Sequence, residues 1–543
     1  MPADSAPPSS AEASAKSAGD QVGGATLTVS GLTLVSRVTG LVRDAVLAAT
    51  LGLSAWADIF FLAFLIPNLF RRLFGEGALT SAFIPAYTRI ATADPPRASR
   101  FASAVLLITT LITITLMILA LALIGLLLTS DDLSQRATET LRLTAWMLPY
   151  MPLICLVALL GGLLQTAGRF APAAAAPVLL NLCMIAAALY AASISDESRD
   201  IAYALAFAVL IAGILQLTWM IATASRRNLL TAARHGTAPD VRAMAWRMLP
   251  MTAGLAVFQI NALFDSLIAF LLSPPAIDMT LQQITYTTVS WLPGEPAYPI
   301  ESGSVAAIQW AQRLYQFPLG VFGIAVATAT FPALARAASH RSDFRGVLRR
   351  GLALALFLTL PASIGLALVA RPIVELIYQR GAFDADATAR VAQLLMAYGV
   401  AVWAYSLTHV LTRACYALDR PSAPLKIMAW TVPLNLALNL TLIWPLGATG
   451  LAWSTAIASI AQVLGLLMLL RHHLDPRLLS DLTRTIFATV VMTATILAAG
   501  QLVSDAAHPG VHVLVAITVG MCSYALCAWP LGQLHLLGLR SRS

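Results

Sequence analysis

The stretch SRVTGLVRDAVLAATLGLSAWADIFFLAFLIPNLFRRLFGEGALTSAFIP, residues 36–85, has the apolar content of two membrane-spanning helices. It nevertheless carries Arg37, Arg43, Asp44, Asp58, Arg71, Arg72 and Glu76. A charge at the centre of a spanning helix costs about 2.5–3.5 kcal/mol even on a lenient insertion scale. Arg37 falls near the middle of an apolar run from Ala25 to Leu51, and Arg71 and Arg72 follow Pro67 deep in the second segment. Arg37 and Asp44, seven apart, share a helix face, while Arg43 lies about 100° round from Asp44. Side chains of this kind belong against a polar cavity and not against lipid. Some have local explanations. Arg72 and Glu76 stand i, i+4 and can neutralise each other, and Arg43 and Asp44 suit a membrane edge where long side chains snorkel. The sequence offers no obvious counter-charge one helical turn from Arg37, Arg71 or, later in the chain, Arg313.

The whole chain has the same character. Of 543 residues, 58% are hydrophobic and only 11% charged, against about 25% charged in soluble domains. The fold class is therefore all-α polytopic membrane protein. Long apolar runs exclude the short alternating strands of a β-barrel. The net charge of +8 does not point to nucleic acid, because basic loops in a membrane protein set its orientation. The cysteines Cys155, Cys183, Cys415, Cys522 and Cys527 all lie in apolar segments without a CxxC pair. They read as small core residues, and no disulfide, metal site or cofactor is expected.

Residues 1–23, rich in Ala, Ser, Pro and Gly, read as a disordered cytoplasmic tail. They lack the pattern of a cleaved signal peptide. Apolar runs then follow at 25–51, 57–88, 101–129, 138–164, 173–194, 200–223, 244–272, 304–335, 346–370, 388–412, 422–444, 448–470, 485–503 and 511–535, which predicts about 14 transmembrane helices. The second run as one straight helix would be about 48 Å long, well beyond a hydrocarbon core of about 30 Å. It must tilt or break, and Gly75–Gly77 is the place to break. The run 304–335 has Pro318 and Gly320 near its middle. With the N-terminus inside, 23 Lys and Arg fall in inside loops and 6 in outside loops, supporting cytoplasmic N- and C-termini. The polar loop from about Ser273 to Gly303 is the longest on the outside.

A repeat divides the run of helices. Phe83–Arg89 (FIPAYTR) ends the second span as Phe331–Arg336 (FPALAR) ends the eighth, and GRFAPAAAAPVLLNL (168–182) resembles DRPSAPLKIMAWTVPLNL (419–436), setting Asn181 opposite Asn435. Both offsets are near 250 residues, with six helices between. This implies two parallel six-helix lobes with a substrate site between them, followed by two additional C-terminal helices. The expected organisation is an N-lobe over 24–225 (helices 1–6), a cytoplasmic linker at 226–243, a C-lobe over 244–471 (helices 7–12), and 472–543 for helices 13–14 and the tail.

No P-loop, nucleophile elbow or paired-carboxylate constellation is present, so no enzyme is expected and no ATP is consumed by this chain alone. Arg313 lies about 14 Å into its span, with Asp265 the nearest candidate counter-charge in sequence. Guanidinium forks match phosphate and carboxylate oxygens. An arginine-lined cavity between two lobes therefore indicates a phosphate-bearing or multiply anionic substrate.

At this point SRVTGLVRD, ADIFFLAFLIPNLFRRLFGEGALTSAFIP and RLYQFPLGVFGIA together resemble the MurJ (MviN) family of lipid II flippases, within the multidrug/oligosaccharidyl-lipid/polysaccharide exporter superfamily. The resemblance covers nearly all of the membrane region. It implies two six-helix lobes, two extra C-terminal helices forming a groove for a polyprenyl tail, and residence in the bacterial inner membrane. It also implies transport of lipid II, an undecaprenyl-pyrophosphoryl disaccharide-peptide, from the inner to the outer leaflet for peptidoglycan biosynthesis. Carried over residue by residue, the substrate-binding set is Arg37, Arg43, Arg71, Arg313, Asp58, Asn68 and Glu76. Leu65-Ile66 and Gln312 depart from members with Lys before the Pro-Asn pair and Asp before the eighth-helix Arg. The expected mechanism is alternating access without ATP, with lipid II and membrane lipids as partners; the sequence sets no oligomeric state. The alternatives are a sister exporter of drugs or another polyprenyl-linked glycan, and a non-transporting cell-wall scaffold.

Overall fold

Each apolar run is met by helix. The computed structural model describes residues 10–72, 78–231, 238–275, 277, 288–504, 507–533 and 536. Its first helices are α1 (Ser10–Leu51), α2 (Ala55–Phe70), α3 (Ala78–Ala93), α4 (Pro95–Leu127), α5 (Gln135–Met147), α6 (Tyr150–Thr166), α7 (Ala171–Ile194), α8 (Ser198–Ser225) and α9 (Ala238–Leu271). There follow α10 (Ser304–Pro318), a π-helical segment (Leu319–Ile324), α11 (Ala325–Ala337), α12 (Arg341–Leu368), α13 (Ala370–Tyr378), α14 (Ala385–Val400) and α15 (Val402–Ala417). The chain continues through α16 (Ser422–Leu446), α17 (Ala448–Leu469), α18 (Arg477–Leu502) and α19 (Pro509–Ala528).

Among the described residues, eleven helical stretches are long and apolar enough to cross a membrane, and two further apolar helices, Ala55–Phe70 and Asn261–Leu271, are shorter. Length and apolarity alone thus do not reach the fourteen read from the sequence, but the protein is an all-helical, multi-pass membrane protein. α1 starts at Ser10, inside the stretch read as a tail. Ala11, Ala13, Ala15 and Ala18, strong helix formers, occupy that part.

The chemistry of the boundaries follows the sequence. The Asp94 side chain caps α4 by accepting from the Arg97 amide at 3.0 Å, with proline next in line. The overlong run 57–88 is divided between α2, which contains Pro67, and α3; Gly75–Gly77, including Glu76, lies outside the described residues. In the run 304–335, Pro318 is followed at once by the π-helical segment. Proline withholds one backbone donor and so disturbs the ladder at that point.

The chain separates into two units, Met1–Leu47 with Ala63–Leu133 and Ala137–Ala256, and Ala48–Leu62 with Ser134–Arg136 and Val257–Ser543. Short N-terminal pieces thus belong to the second unit. In the first unit α3 packs on α4 and α6, and α8 packs on α6 and α7. In the second, α12 and α15 pack on each other and on α11, with Leu334, Phe344, Leu348, Val410, Leu411 and Leu466 buried in the shared core. The final hairpin, α18–α19, lies on α12 and α13. Phe357, Met492, Ile496 and Tyr524 form its core, the Tyr524 hydroxyl donates to the Phe357 carbonyl at 2.8 Å, and Arg349 of α12 pairs with Asp481 of α18 at 2.8 Å.

Candidate functional site

In the first unit, α1 carries Arg37 and Arg43, and Arg71 follows directly on α2. Arg43 is buried. Its Nη2 pairs with Asp44 Oδ1 at 2.6 Å, its Nε donates to the same oxygen at 3.0 Å, and its Nη1 donates to Asn181 Oδ1 at 2.9 Å. Asn181, on α7, turns its Nδ2 back to the Ser36 carbonyl at 3.3 Å and to Thr39 Oγ1 at 3.2 Å. Arg43 therefore holds α1 to α7. Its donors serve Asp44 and Asn181. The face that Arg37 and Asp44 share is buried at Asp44 and open at Arg37, whose side chain is exposed.

Arg71 is half-buried and donates from Nε to Asn68 Oδ1 at 2.8 Å, an i, i+3 contact that fixes the guanidinium relative to α2. Arg43 and Arg71 both lie within electrostatic reach of Tyr150. Tyr150 is fully buried at the start of α6, its ring lies against Phe64 at 6.4 Å, and its hydroxyl has no hydrogen-bond partner among the described residues. No motif in the sequence marks Tyr150; its one signal is its place directly after Pro149, at the break between α5 and α6.

In the second unit, Asp58 lies near the start of α2. It is wholly buried. Its Oδ2 takes Arg136 Nη2 at 2.5 Å and the Gly303 amide at 2.8 Å, and its Oδ1 takes the Ala306 amide at 2.9 Å. Asp58 thus caps the N-terminus of α10, where a carboxylate is favoured. Expected as a substrate ligand, it offers a substrate no surface in this structure, because its acceptors are used inside the fold. Arg136, between the apolar runs 101–129 and 138–164, also donates to Ser273 Oγ at 2.5 Å and to the Pro274 carbonyl at 3.0 Å, and sits 4.3 Å over the Phe270 ring.

The α1–α2 turn is clasped beside this pair. The Ala382 amide donates to the Ala49 carbonyl at 2.8 Å. Gly303, at φ +84°, and Gly381, at φ +57°, approach so closely that a Cβ would come 2.3 Å from the Leu53 carbonyl oxygen and 2.4 Å from that of Ala49. Only glycine fits such contacts without displacing backbone.

Arg313 is exposed on α10. Its neighbour Gln312 reaches the Tyr398 hydroxyl at 3.5 Å, and Tyr315 stacks between Tyr398 and Tyr405 at 5.1 and 5.3 Å. Asp265 is buried and accepts from Asn439 Nδ2 at 2.6 Å and Thr455 Oγ1 at 3.3 Å. With its amide nitrogen turned towards them, Asn435 lies 3.2 Å from Asp265 Oδ1 and 3.1 Å from Asn261 Oδ1. The Asn181–Asn435 equivalence of the repeat thus has a counterpart in bonding. Asn181 ties α7 to Arg43 of α1, and Asn435, so turned, ties α16 to Asp265 of α9.

A model of the family described as lipid II flippase MurJ matches residues 47–520. The chain belongs to the lipid II flippase MurJ family. Among this family, the "Probable lipid II flippase MurJ" of Rhizobium tropici is 33% identical over 460 residues, covering 82% of this chain and 81% of the relative. The "Lipid II flippase MurJ" of Burkholderia cenocepacia is 30% identical, covering 83% and 84%. The chain shares its fold with a solved lipid II flippase MurJ in an inward closed conformation, with TM-score 0.73, 24% identity, and 92% and 98% coverage of the two chains. It also shares the fold of an inward-facing multidrug resistance MATE transporter, with TM-score 0.61, 15% identity, and 82% and 98% coverage. The family therefore sits on a fold that also carries multidrug exporters, so the substrate is argued from the charged residues and not from the architecture.

Proposed function

We propose that this chain moves lipid II from the inner to the outer leaflet of the bacterial inner membrane by alternating access. Family membership supports the substrate. The observation that carries the proposal on this chain is that Arg37 and Arg313 are exposed and Arg71 only half-buried in otherwise apolar segments, a placement that suits pyrophosphate and peptide carboxylate oxygens. Asn68 orients Arg71. Arg43 and Asp58 act by holding helices in place, and Glu76 keeps the role that the resemblance assigns to it. The two C-terminal helices, docked on α12 and α13, are assigned the polyprenyl chain.

Energy need not come from ATP. An inside-negative potential favours outward movement of an anion, or return of a positively charged empty carrier, by about 2.3 kcal/mol per charge per 100 mV. The 23-to-6 distribution of basic residues supports cytoplasmic termini. The likeness to MATE exporters keeps drug transport as a second reading, but exposed arginines in apolar segments suit anions and not cationic drugs. The test is complementation. Expressed in a bacterium depleted of its own lipid II flippase, the chain restores growth and cell shape. Failure to do so when the protein is correctly inserted would overturn the reading.

A further inference from the structure

Helix α15 has two unlike faces. Leu407, Val410, Leu411 and Ala414 are buried in the core that α15 shares with α11, α12 and α17. On the opposite side, at intervals of four, stand Tyr405, His409 and Arg413, flanked by Thr412 and Tyr416. Arg413 reads from the sequence as a cytoplasmic loop residue, but α15 continues to Ala417. Arg413 is therefore one turn inside the helix and His409 two, about 12 Å from its end.

Three ordinary explanations do not account for the buried Nη1 of Arg413. Facing lipid, a cationic side chain at this depth is costly. Snorkelling carries part of the half-buried side chain towards water, yet Arg413 Nη1 itself is buried without a hydrogen-bond partner among the described residues. Capping of the helix end is done by backbone instead: the Leu418 and Arg420 amides serve the Ala414 and Cys415 carbonyls. Among the described residues no carboxylate pairs with Arg413. His409 lies within reach of its charge, one turn earlier on the same face. A buried, unsatisfied guanidinium N–H beside an imidazole, on the polar side of a transmembrane helix, is what an anion of suitable size would complete.

We propose that Arg413, with His409 above it, forms a second anion station in the second unit, which takes a phosphoryl or carboxylate oxygen of the lipid-linked substrate near the cytoplasmic end of α15. The station rests on the lipid II reading and adds a site that the resemblance does not assign. It is a binding site and involves no covalent step.

The test uses the full chain in phosphatidylcholine nanodiscs, with undecaprenyl pyrophosphate and the uncharged undecaprenol competing against labelled lipid II. Arg413→Gln weakens undecaprenyl pyrophosphate about tenfold or more and leaves undecaprenol unchanged. Arg413→Lys, which keeps the charge, retains part of the affinity. Equal weakening of both probes would assign Arg413 a merely structural role, and no weakening would remove the station. Displacement of the Arg413-dependent binding by phosphatidylglycerol would assign the site to a membrane-lipid headgroup and overturn the proposal. If Arg413→Gln does not fold, His409→Gln carries the same comparison. Wild type that binds neither lipid II nor undecaprenyl pyrophosphate overturns the flippase reading itself, an outcome distinct from loss of the station alone.

Discussion

Arg43 and Asn181, 138 positions apart, meet at 2.9 Å between Nη1 and Oδ1. The bond joins α1 to α7 through a guanidinium whose other nitrogens are held by Asp44. Asn181→Leu removes the acceptor and leaves a buried charged donor unmet. Interhelical hydrogen bonds in a membrane protein average about 0.6 kcal/mol, while bonds to charged groups reach about 1.5–3 kcal/mol. Because Arg43 is buried, the loss belongs at the upper end. Thermal unfolding of the purified variant measures it, and a melting temperature equal to wild type would contradict the assignment.

Asp58 and Arg136 form a pair with both partners buried. Removing one partner of such a pair costs about 3–5 kcal/mol, whereas replacing both with apolar residues costs far less. Asp58→Ala should therefore be the most damaging single change outside the arginine set. Asp58→Leu combined with Arg136→Met should be better folded than Asp58→Leu alone. A double variant as unstable as the sum of the singles would contradict the pairing.

Gly303 and Gly294 separate two effects. Both have positive φ, but a Cβ on Gly303 meets the Leu53 backbone, while one on Gly294 meets nothing within 4 Å. Gly294→Ala costs only the left-handed conformation, about 1–2 kcal/mol. Gly303→Ala adds a clash that must displace the α1–α2 turn, so its loss of stability is clearly larger. Equal stability losses in the two variants would contradict the clasp.

His473 lies between α17 and α18, outside the spanning helices. Burial first, then the charges of Arg341, Arg420, His472 and Arg345, hold its imidazole below the usual value of 6.5. The ring packs edge-on against buried Phe344 at 5.6 Å. The unfolded chain therefore binds a proton that the folded chain does not. The associated stability is present above about pH 6.5 and is lost as the pH falls from there through the depressed folded value. Melting temperatures at pH 7.5 and 5.5 should fall further apart in wild type than in His473→Gln; identical differences would contradict this.

Much of this protein was legible before its coordinates. Apolar runs located the helices, and the excess length of 57–88 foretold that it is not one straight helix: α2 and α3 lie on either side of residues 73–77, which are outside the described residues. Asp58–Arg136 was not legible, because the partners are separated by 78 positions and a loop arginine near an outside boundary looks solvated. Arg43 was legible as a buried charge but not as a strut, since no local pattern points from α1 to Asn181. Asp265 had Arg313 as its nearest sequence candidate, and the partners found for it, Asn439 and Thr455, are uncharged residues on helices far along the chain.

The most direct measurement is lipid II translocation in proteoliposomes, comparing wild type with Arg37→Ala, Arg71→Ala and Arg313→Ala at matched protein levels and equal melting temperatures. The account predicts translocation by the wild type and a loss of about tenfold or more in each variant, the scale of one hydrogen bond to a charged group. Undiminished translocation by all three variants would contradict the assignment of these arginines to the transported anion.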